Sequence, residues 1–356
     1  MIPHNRTFVS DREIQAVRGV LESGWPVRGP VTEQTEKYLR DRSGAVDCVL
    51  VSSGTAALRL ALIALGRGDR DEVIVPSYCC VAIPNAVLSV GAVPKVVDVD
   101  EQFMNYDMTR LKAAVGDKTK AIILVHNNGI IRDAARLADF DVPVVEDRAH
   151  TFFFDRAQNR VPAENSVVAT SFYPTKYLGG IGGGAVLTAS KDIGAKVRDL
   201  RAYADKEASP HRINEDITDV EAAVVLSRLQ GFEDFVRQRR NVFTRLHEGL
   251  KDRAEIGKSI EFHAEGVSYY RFLLRFVEPA FSFGDNAGLF RRLINERGIV
   301  AEKPIELWTK PGDFAGADRL YRNIVSLPCY PSLDARAIET IVRGAKDTLA
   351  DMARMA

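Results

Sequence analysis

The sequence predicts an α/β fold built on a mainly parallel central sheet flanked by helices, followed by a smaller α+β C-terminal domain. Three observations carry that expectation. From about residue 46, short and fully apolar runs alternate with helix-like stretches, the pattern of strands covered on both faces and joined by crossover helices. After Lys191 the character changes to long helical stretches with a single strand-like run. The length, 356 residues, leaves room for two domains at about 150 residues each.

Taken in order, Cys48–Val51 reads as a strand leading to a helix around Thr55–Leu65. Val73–Val75 is followed by a helix near Ala82–Val90, and Lys95–Val99 is the next strand. Ala121–Val125 is the most apolar short run, with a helix expected near Arg132–Asp139 behind it. Val142–Val145, Val167–Phe172 and Ala185–Thr188 complete the strand series. Beyond it, Ile193–Ala204 and Thr218–Leu250 read as helices, the second long enough to bridge domains. Tyr269–Phe276 looks like a strand, Ala287–Arg297 a helix stopped by Gly298, and Ala335–Met352 a terminal helix. The division is placed at 1–240 and 241–356.

Composition narrows the function. Lys+Arg and Asp+Glu both number 48, so no excess charge argues for nucleic acid or an anionic membrane as partner. No apolar run approaches the roughly 18 residues of a bilayer span, and Met1–Arg6 lacks a secretory apolar region. Cys48, Cys79, Cys80 and Cys329 are too few and scattered for a disulfide scaffold, and no CxxC occurs. A reducing cytoplasm is expected, with no metal site.

Three segments carry candidate chemistry. Ser52-Ser53-Gly54-Thr55 ends a strand and opens a helix, where small residues let backbone N–H groups approach an anion; an ordinary N-cap is the alternative. Val144-Val145-Glu146-Asp147-Arg148-Ala149-His150 ends an apolar strand in two acids, which puts a carboxylate at the edge where α/β proteins hold ligands, or in a solvated turn. Ser171-Phe172-Tyr173-Pro174-Thr175-Lys176 precedes five glycines in six residues. A lysine there can project into a cleft lined by backbone and form a Schiff base, or lie on a surface loop. The glycines precede a strand, so they are no dinucleotide fingerprint.

In this order the segments resemble the fold-type I pyridoxal phosphate (PLP) enzymes, and within them the DegT/StrS-type sugar aminotransferases. The resemblance runs from Glu22-Ser23-Gly24-Trp25 and Gly29-Pro30 through Ser52–Leu58 to Val73-Ile74-Val75-Pro76-Ser77-Tyr78. It continues in Asn85-Ala86-Val87, Gly91-Ala92-Val93-Pro94 and Val97-Asp98-Val99-Asp100, then in Glu146-Asp147 with Ala149-His150 and Ser171-Phe172 with Pro174-Thr175-Lys176. It covers residues 15–230 well and the C-terminal third loosely.

The resemblance implies a role for each matching position. Lys176 corresponds to the lysine that holds PLP and moves the proton, and Asp147 to the carboxylate paired with the pyridine nitrogen. His150 sits where a His or Gln approaches the ring hydroxyl, while Gly54, Thr55 and Ser171 match the phosphate cradle. Asn214 falls five residues before Asp219, like the family asparagine that reaches a neighbouring subunit's phosphate, which implies a homodimer with shared sites. Departures are equally specific. Cys80 stands where family members usually place an aromatic over the ring. The usual His-Leu-Tyr-Gly reads His126-Asn127-Asn128-Gly129, the usual arginine after the asparagine is Asp216, and Arg148 replaces a small residue. Lys303–Trp308 lacks the usual substrate loop. The implied activity is transfer of an amino group from an amino acid, glutamate or glutamine, to a keto sugar, nucleotide-linked. A keto cyclitol or other small ketone as acceptor, a PLP-dependent sugar dehydratase or lyase, and a non-catalytic PLP-fold binding protein are the alternatives.

Overall fold

The computed structural model describes residues 1–102, 104–152, 166–203, 207–253, 268–276 and 281–356. Two helices open it, α1 (Asp11–Glu22) and α2 (Pro30–Ser43). Then come β1 (Asp47–Val51), α3 (Gly54–Ala64), β2 (Glu72–Pro76), α4 (Ala82–Ser89) and β3 (Val93–Val97). A small ribbon of β4 (Val99–Asp100) and β5 (Asn105–Tyr106) leads to α5 (Met108–Ala114) and β6 (Thr119–Val125). The sheet is completed by β7 (Val144–Asp147), β8 (Val167–Ser171) and β9 (Gly184–Thr188).

Seven of these strands form one sheet in the order β1-β9-β8-β7-β6-β2-β3. Pairings from β3 through β8 are parallel, and β9 runs antiparallel to both β8 and β1. Most strand centres are apolar and buried because helices cover both faces, and the polar residues fall mostly at strand ends. α3 lies on one face and is itself buried nearly all round, through Ala56, Ala57, Leu58, Leu60, Ala61, Leu62 and Ala64. The connections of β2 and β6 leave in opposite directions, so the crevice that α/β sheets use for ligands opens at their carboxyl ends.

The helix expected at 132–139 is instead a single 3₁₀ turn, Ala134–Leu137, begun by Asp133. The long helix expected over 218–250 is two, α7 (Asp219–Gln230) and α8 (Phe232–Leu250). Gly231 turns the chain between them, with φ −96° and ψ 15°. Phe232 is thereby buried with Tyr177 and Leu229 under the large sheet, while Val242, Phe243, Leu246 and Leu250 enter a second core. α6 (Lys191–Leu200) begins two residues before the helix expected at Ile193–Ala204 and ends at Leu200; Ala204, the expected end, lies outside the described residues.

That second core is built on the antiparallel pair β10 (Phe272–Arg275) and β11 (Ile324–Leu327), with α9 (Asn286–Glu296), α10 (Ala315–Asn323) and α11 (Ala335–Met355) around it. Residues 2–8 tie it to the large sheet. Ile2 exchanges backbone hydrogen bonds with Gly298 and Val300, His4 reaches Ser326, and Asn5 and Thr7 donate to the carbonyls of Thr175 and Pro174. Among the described residues no helix is long and apolar enough to cross a membrane.

The first residue of α7 also organises α2. The side chain of Asp219 accepts from the N–H groups of Gly29, Val31 and Thr32 at 2.9–3.0 Å and from the Thr32 hydroxyl at 2.6 Å. Gly29, the N-cap of α2, has no side chain to do this. Asp219→Ala should therefore orphan several buried donors and lower stability by about 2–4 kcal/mol, read as the shift in urea midpoint.

Candidate active site

At the carboxyl end of β7 two adjacent acids meet different fates. Side chains alternate across a strand, so Asp147 points to the α3 face with Val145 and Glu146 to the other. Glu146 is fully buried and its Oε2 accepts from His126 Nε2 at 2.9 Å and from Arg148 Nε and Nη2 at 2.9 and 2.7 Å. Burial opposes its ionisation, but Arg148 and His126 hold it below the usual glutamate value. The Arg148 that departs from the family pattern is thus a counterion to Glu146. Asp147 has one backbone N–H, from Ala149 at 2.8 Å on Oδ1, and no hydrogen bond on its second oxygen among the described residues. Burial pushes its carboxyl above the usual aspartate value, against the opposing pull of the Ala149 N–H and of Lys176.

Past β8 the chain turns through Tyr173, whose carbonyl accepts from Lys176 N at 2.8 Å, and delivers Lys176 back over the sheet edge. Its Nζ lies 2.9 Å from Nε2 of His150. Nδ1 of that ring accepts the Asn128 N–H at 3.2 Å, which places the proton of the neutral imidazole on Nε2, so the contact with Nζ is a hydrogen bond when Lys176 is the free amine. Burial first, then the charges of Lys176 and Arg271, keep His150 neutral by lowering its pKa well below the usual value. Asn128 reaches this position with φ 58°, a left-handed conformation that asparagine tolerates better than most residues.

A short distance along the same edge, the first N–H groups of α3, on Gly54 and Thr55, have no intrahelical partner. Ser53 caps the helix by accepting the Ala56 N–H at 3.0 Å. A Cβ at Gly54 would stand 2.6 Å from Cβ of Ser171, and one at Gly184 would stand 2.4 Å from the Ser53 carbonyl oxygen. Only glycines let these loops close into a cradle of backbone beside Ser171.

The structure therefore brings Lys176, His150 and Asp147 together, with Gly54, Thr55 and Ser171 beside them. Cys80 follows β2 at the same edge with its side chain exposed. Asn214 is exposed and joins none of these groups within the chain; its segment is pinned by Ser52 N donating to the Glu215 carbonyl and by the Arg59–Glu215 ion pair. Sequence reasoning missed Ser268 and Tyr270. Ser268 Oγ donates to the His150 carbonyl at 3.0 Å, and the Tyr270 ring stacks on His150 at 4.7 Å and 21°. No signal marked them, because they precede a strand of another core.

Residues 8–346 match the DegT/DnrJ/EryC1/StrS aminotransferase family. The chain belongs to that family. Relatives include the erythromycin biosynthesis sensory transduction protein EryC1 of Saccharopolyspora erythraea, 31% identical over 92% of this chain and 93% of that one. The UDP-2-acetamido-2-deoxy-3-oxo-D-glucuronate aminotransferase of Pseudomonas aeruginosa is 29% identical over 96% and 97%. Among solved structures, the aminotransferase TlmJ of Streptoalloteichus hindustanus superposes with a TM-score of 0.88 at 25% identity, covering all of both chains. The putative sugar aminotransferase Spr1654 of Streptococcus pneumoniae superposes with 0.89 at 23% identity, covering 99% of each, and is known also in PLP- and PMP-forms. The protein is thus a PLP-dependent aminotransferase of the sugar aminotransferase family, on the fold-type I scaffold. The site fits such a cofactor: a buried carboxylate with an uncommitted oxygen suits a pyridine nitrogen, and the Gly54 cradle suits a phosphate.

A raised aspartate costs the protein without cofactor some stability. Between the usual aspartate pKa and the raised one, the folded chain binds more protons than the unfolded chain, so stability falls as pH rises through that window. Asp147→Asn should remove this fall, giving a variant at least as stable as the wild type at pH 8 while losing function; thermal melts across pH 4–8 read the difference.

Proposed function

We propose that this protein transfers an amino group from an amino acid, glutamate or glutamine, to a keto sugar presented in nucleotide-linked form. The observation that carries the reading is the grouping of Lys176, His150 and Asp147 beside the Gly54 cradle. The nucleotide linkage draws on the name of the P. aeruginosa relative, and a cytoplasmic location on the four free cysteines.

PLP supplies, when bound, an electron sink for the charge left as the substrate's Cα loses its proton. The residues of the chain do the rest. The N–H groups of Gly54 and Thr55, with Ser171, bind the phosphate. Asp147 would hold the ring nitrogen and keep it protonated; in a dry site its charge acts with little screening. Lys176 is the covalent attachment point and the base that takes the proton from Cα and returns it on the other carbon of the exchanging pair. His150, neutral and clamped between the Asn128 N–H and the Tyr270 ring, holds Nζ of Lys176 and approaches the ring hydroxyl. Glu146 plays no part, being occupied by His126 and Arg148. Cys80, exposed after β2, would border the ring as a small neighbour.

The test is a panel of amino donors and nucleotide keto sugars, with keto acid release followed beside the visible absorbance of the loaded enzyme. Lys176→Ala should reduce turnover by about 10²–10⁴-fold or more, the loss expected for a positioned base. Release of keto acid that survives this substitution overturns the reading.

The exposure of Asn214 is what a residue serving a second subunit requires, so the reading includes a homodimer with shared sites. Lys176→Ala and Asn214→Glu chains, each inactive, should regain about one quarter of wild-type activity when unfolded and refolded together, because half the dimers are mixed and gather both lesions in one site. No recovery despite efficient mixing would place Asn214 outside the partner's site.

A further inference from the structure

The segment entering β10 approaches the reacting group as closely as the large sheet does. Ser268 N donates to the Gly129 carbonyl at 2.8 Å, and Tyr269 is held at φ 54°, a left-handed conformation unfavourable for an aromatic residue. That turn lays Tyr270 flat on His150 and lets its hydroxyl donate to the carbonyl of Thr175, next to Lys176, at 3.1 Å. Arg271 follows, its Cζ 5.2 Å from the centre of the same Tyr270 ring.

Arg271 is poorly satisfied for a half-buried guanidinium. Its Nε is buried without a hydrogen-bond partner, and no carboxylate lies within ion-pair distance among the described residues. Among the described residues its one polar contact is Nη1 to His4 Nε2 at 3.4 Å. His4 cannot balance its charge: burial and Arg271 itself depress that imidazole to about 3, so it stays neutral. Several buried arginines elsewhere in the chain have carboxylates, as in Arg59–Glu215, Arg148–Glu146 and Arg201–Glu36, and Arg239 is held by the Tyr270 and Cys329 carbonyls. A desolvated guanidinium without a counter-charge is costly, and its planar fork matches a carboxylate in two parallel hydrogen bonds.

We propose that Arg271 anchors a substrate carboxylate that lies past His150, away from the carbon where nitrogen is exchanged. Two ring contacts, His150 and Tyr270, separate it from Lys176. That spacing favours a carboxylate at the far end of a substrate over one attached to the reacting carbon. Two substrates can bring that group: a dicarboxylic amino donor, or a keto sugar that is a uronic acid. The proposal rests on the aminotransferase reading, but binding requires no turnover, so the two fail separately.

The test compares carboxylates with neutral analogues by calorimetry on the PLP-loaded enzyme, using 2-oxoglutarate against 2-oxobutyrate and glucuronate against glucose. The wild type should prefer the acid by roughly tenfold or more in one pair, and that pair names the source. Arg271→Gln should abolish the preference, and Arg271→Lys, which keeps the charge without the fork, should retain part of it. A purely structural role would lower the melting temperature of Arg271→Gln and leave the preference intact. Should Arg271→Gln fold poorly, Arg271→Lys decides alone through the same ratio. No preference in either pair for the wild type, or a preference undiminished in the variants, overturns the proposal.

Discussion

One constraint orders this site: a strand sends successive side chains to opposite faces, and β7 ends in two acids. Because Glu146 is taken up by His126 and Arg148, all the charge on that face is settled inside the protein. Asp147, on the α3 face, is left buried with a single backbone hydrogen bond. The rest of the site is arranged around that unsettled carboxylate. β8 and its following turn bring Lys176 to it, α3 brings an anion cradle to the same side, and His126, whose N–H is bonded to the Asp147 carbonyl, continues into the segment that clamps His150. A protein that needed only stability would not leave an aspartate in this condition.

The sheet was legible because its strands are buried on both faces, so their centres are mostly apolar and polar residues fall mainly at their ends. The runs at 121–125, 167–172 and 185–188 became strands nearly as read. Less legible was direction. Nothing in the composition of β9 reveals that it runs antiparallel between β1 and β8, since an edge region buried on both sides reads alike in either sense. Helix continuity failed at Gly231 for a related reason: both α7 and α8 are periodic, and only the burial of Phe232 and Leu229 in the same core shows that the chain must bend there.

Within the site, Lys176, Asp147, His150 and the cradle residues could be read because each sits at a strand end whose position the apolar pattern fixes. The Tyr270 stack could not. It depends on Tyr269 adopting a backbone conformation that its own chemistry disfavours, so local preference points away from the observed geometry. Asn128 shows the milder form of the same problem, a residue tolerant of the left-handed region at a place where the ring of His150 needs a backbone N–H. Both exceptions flank one imidazole, and tertiary contacts hold both in place.

The tie made by residues 2–8 has a consequence for synthesis. These residues leave the ribosome before their partners, which are Pro174 and Thr175 beside Lys176, and Gly298, Val300 and Ser326 far downstream. The contacts with Thr175 and Pro174 can close once the lysine turn has emerged, whereas those with Gly298, Val300 and Ser326 wait for the second core, and contacts of such long sequence separation are slow to close. The large sheet can therefore assemble co-translationally before Ile2 and His4 have their partners, and the second core is braced against it only once Ser326 has emerged.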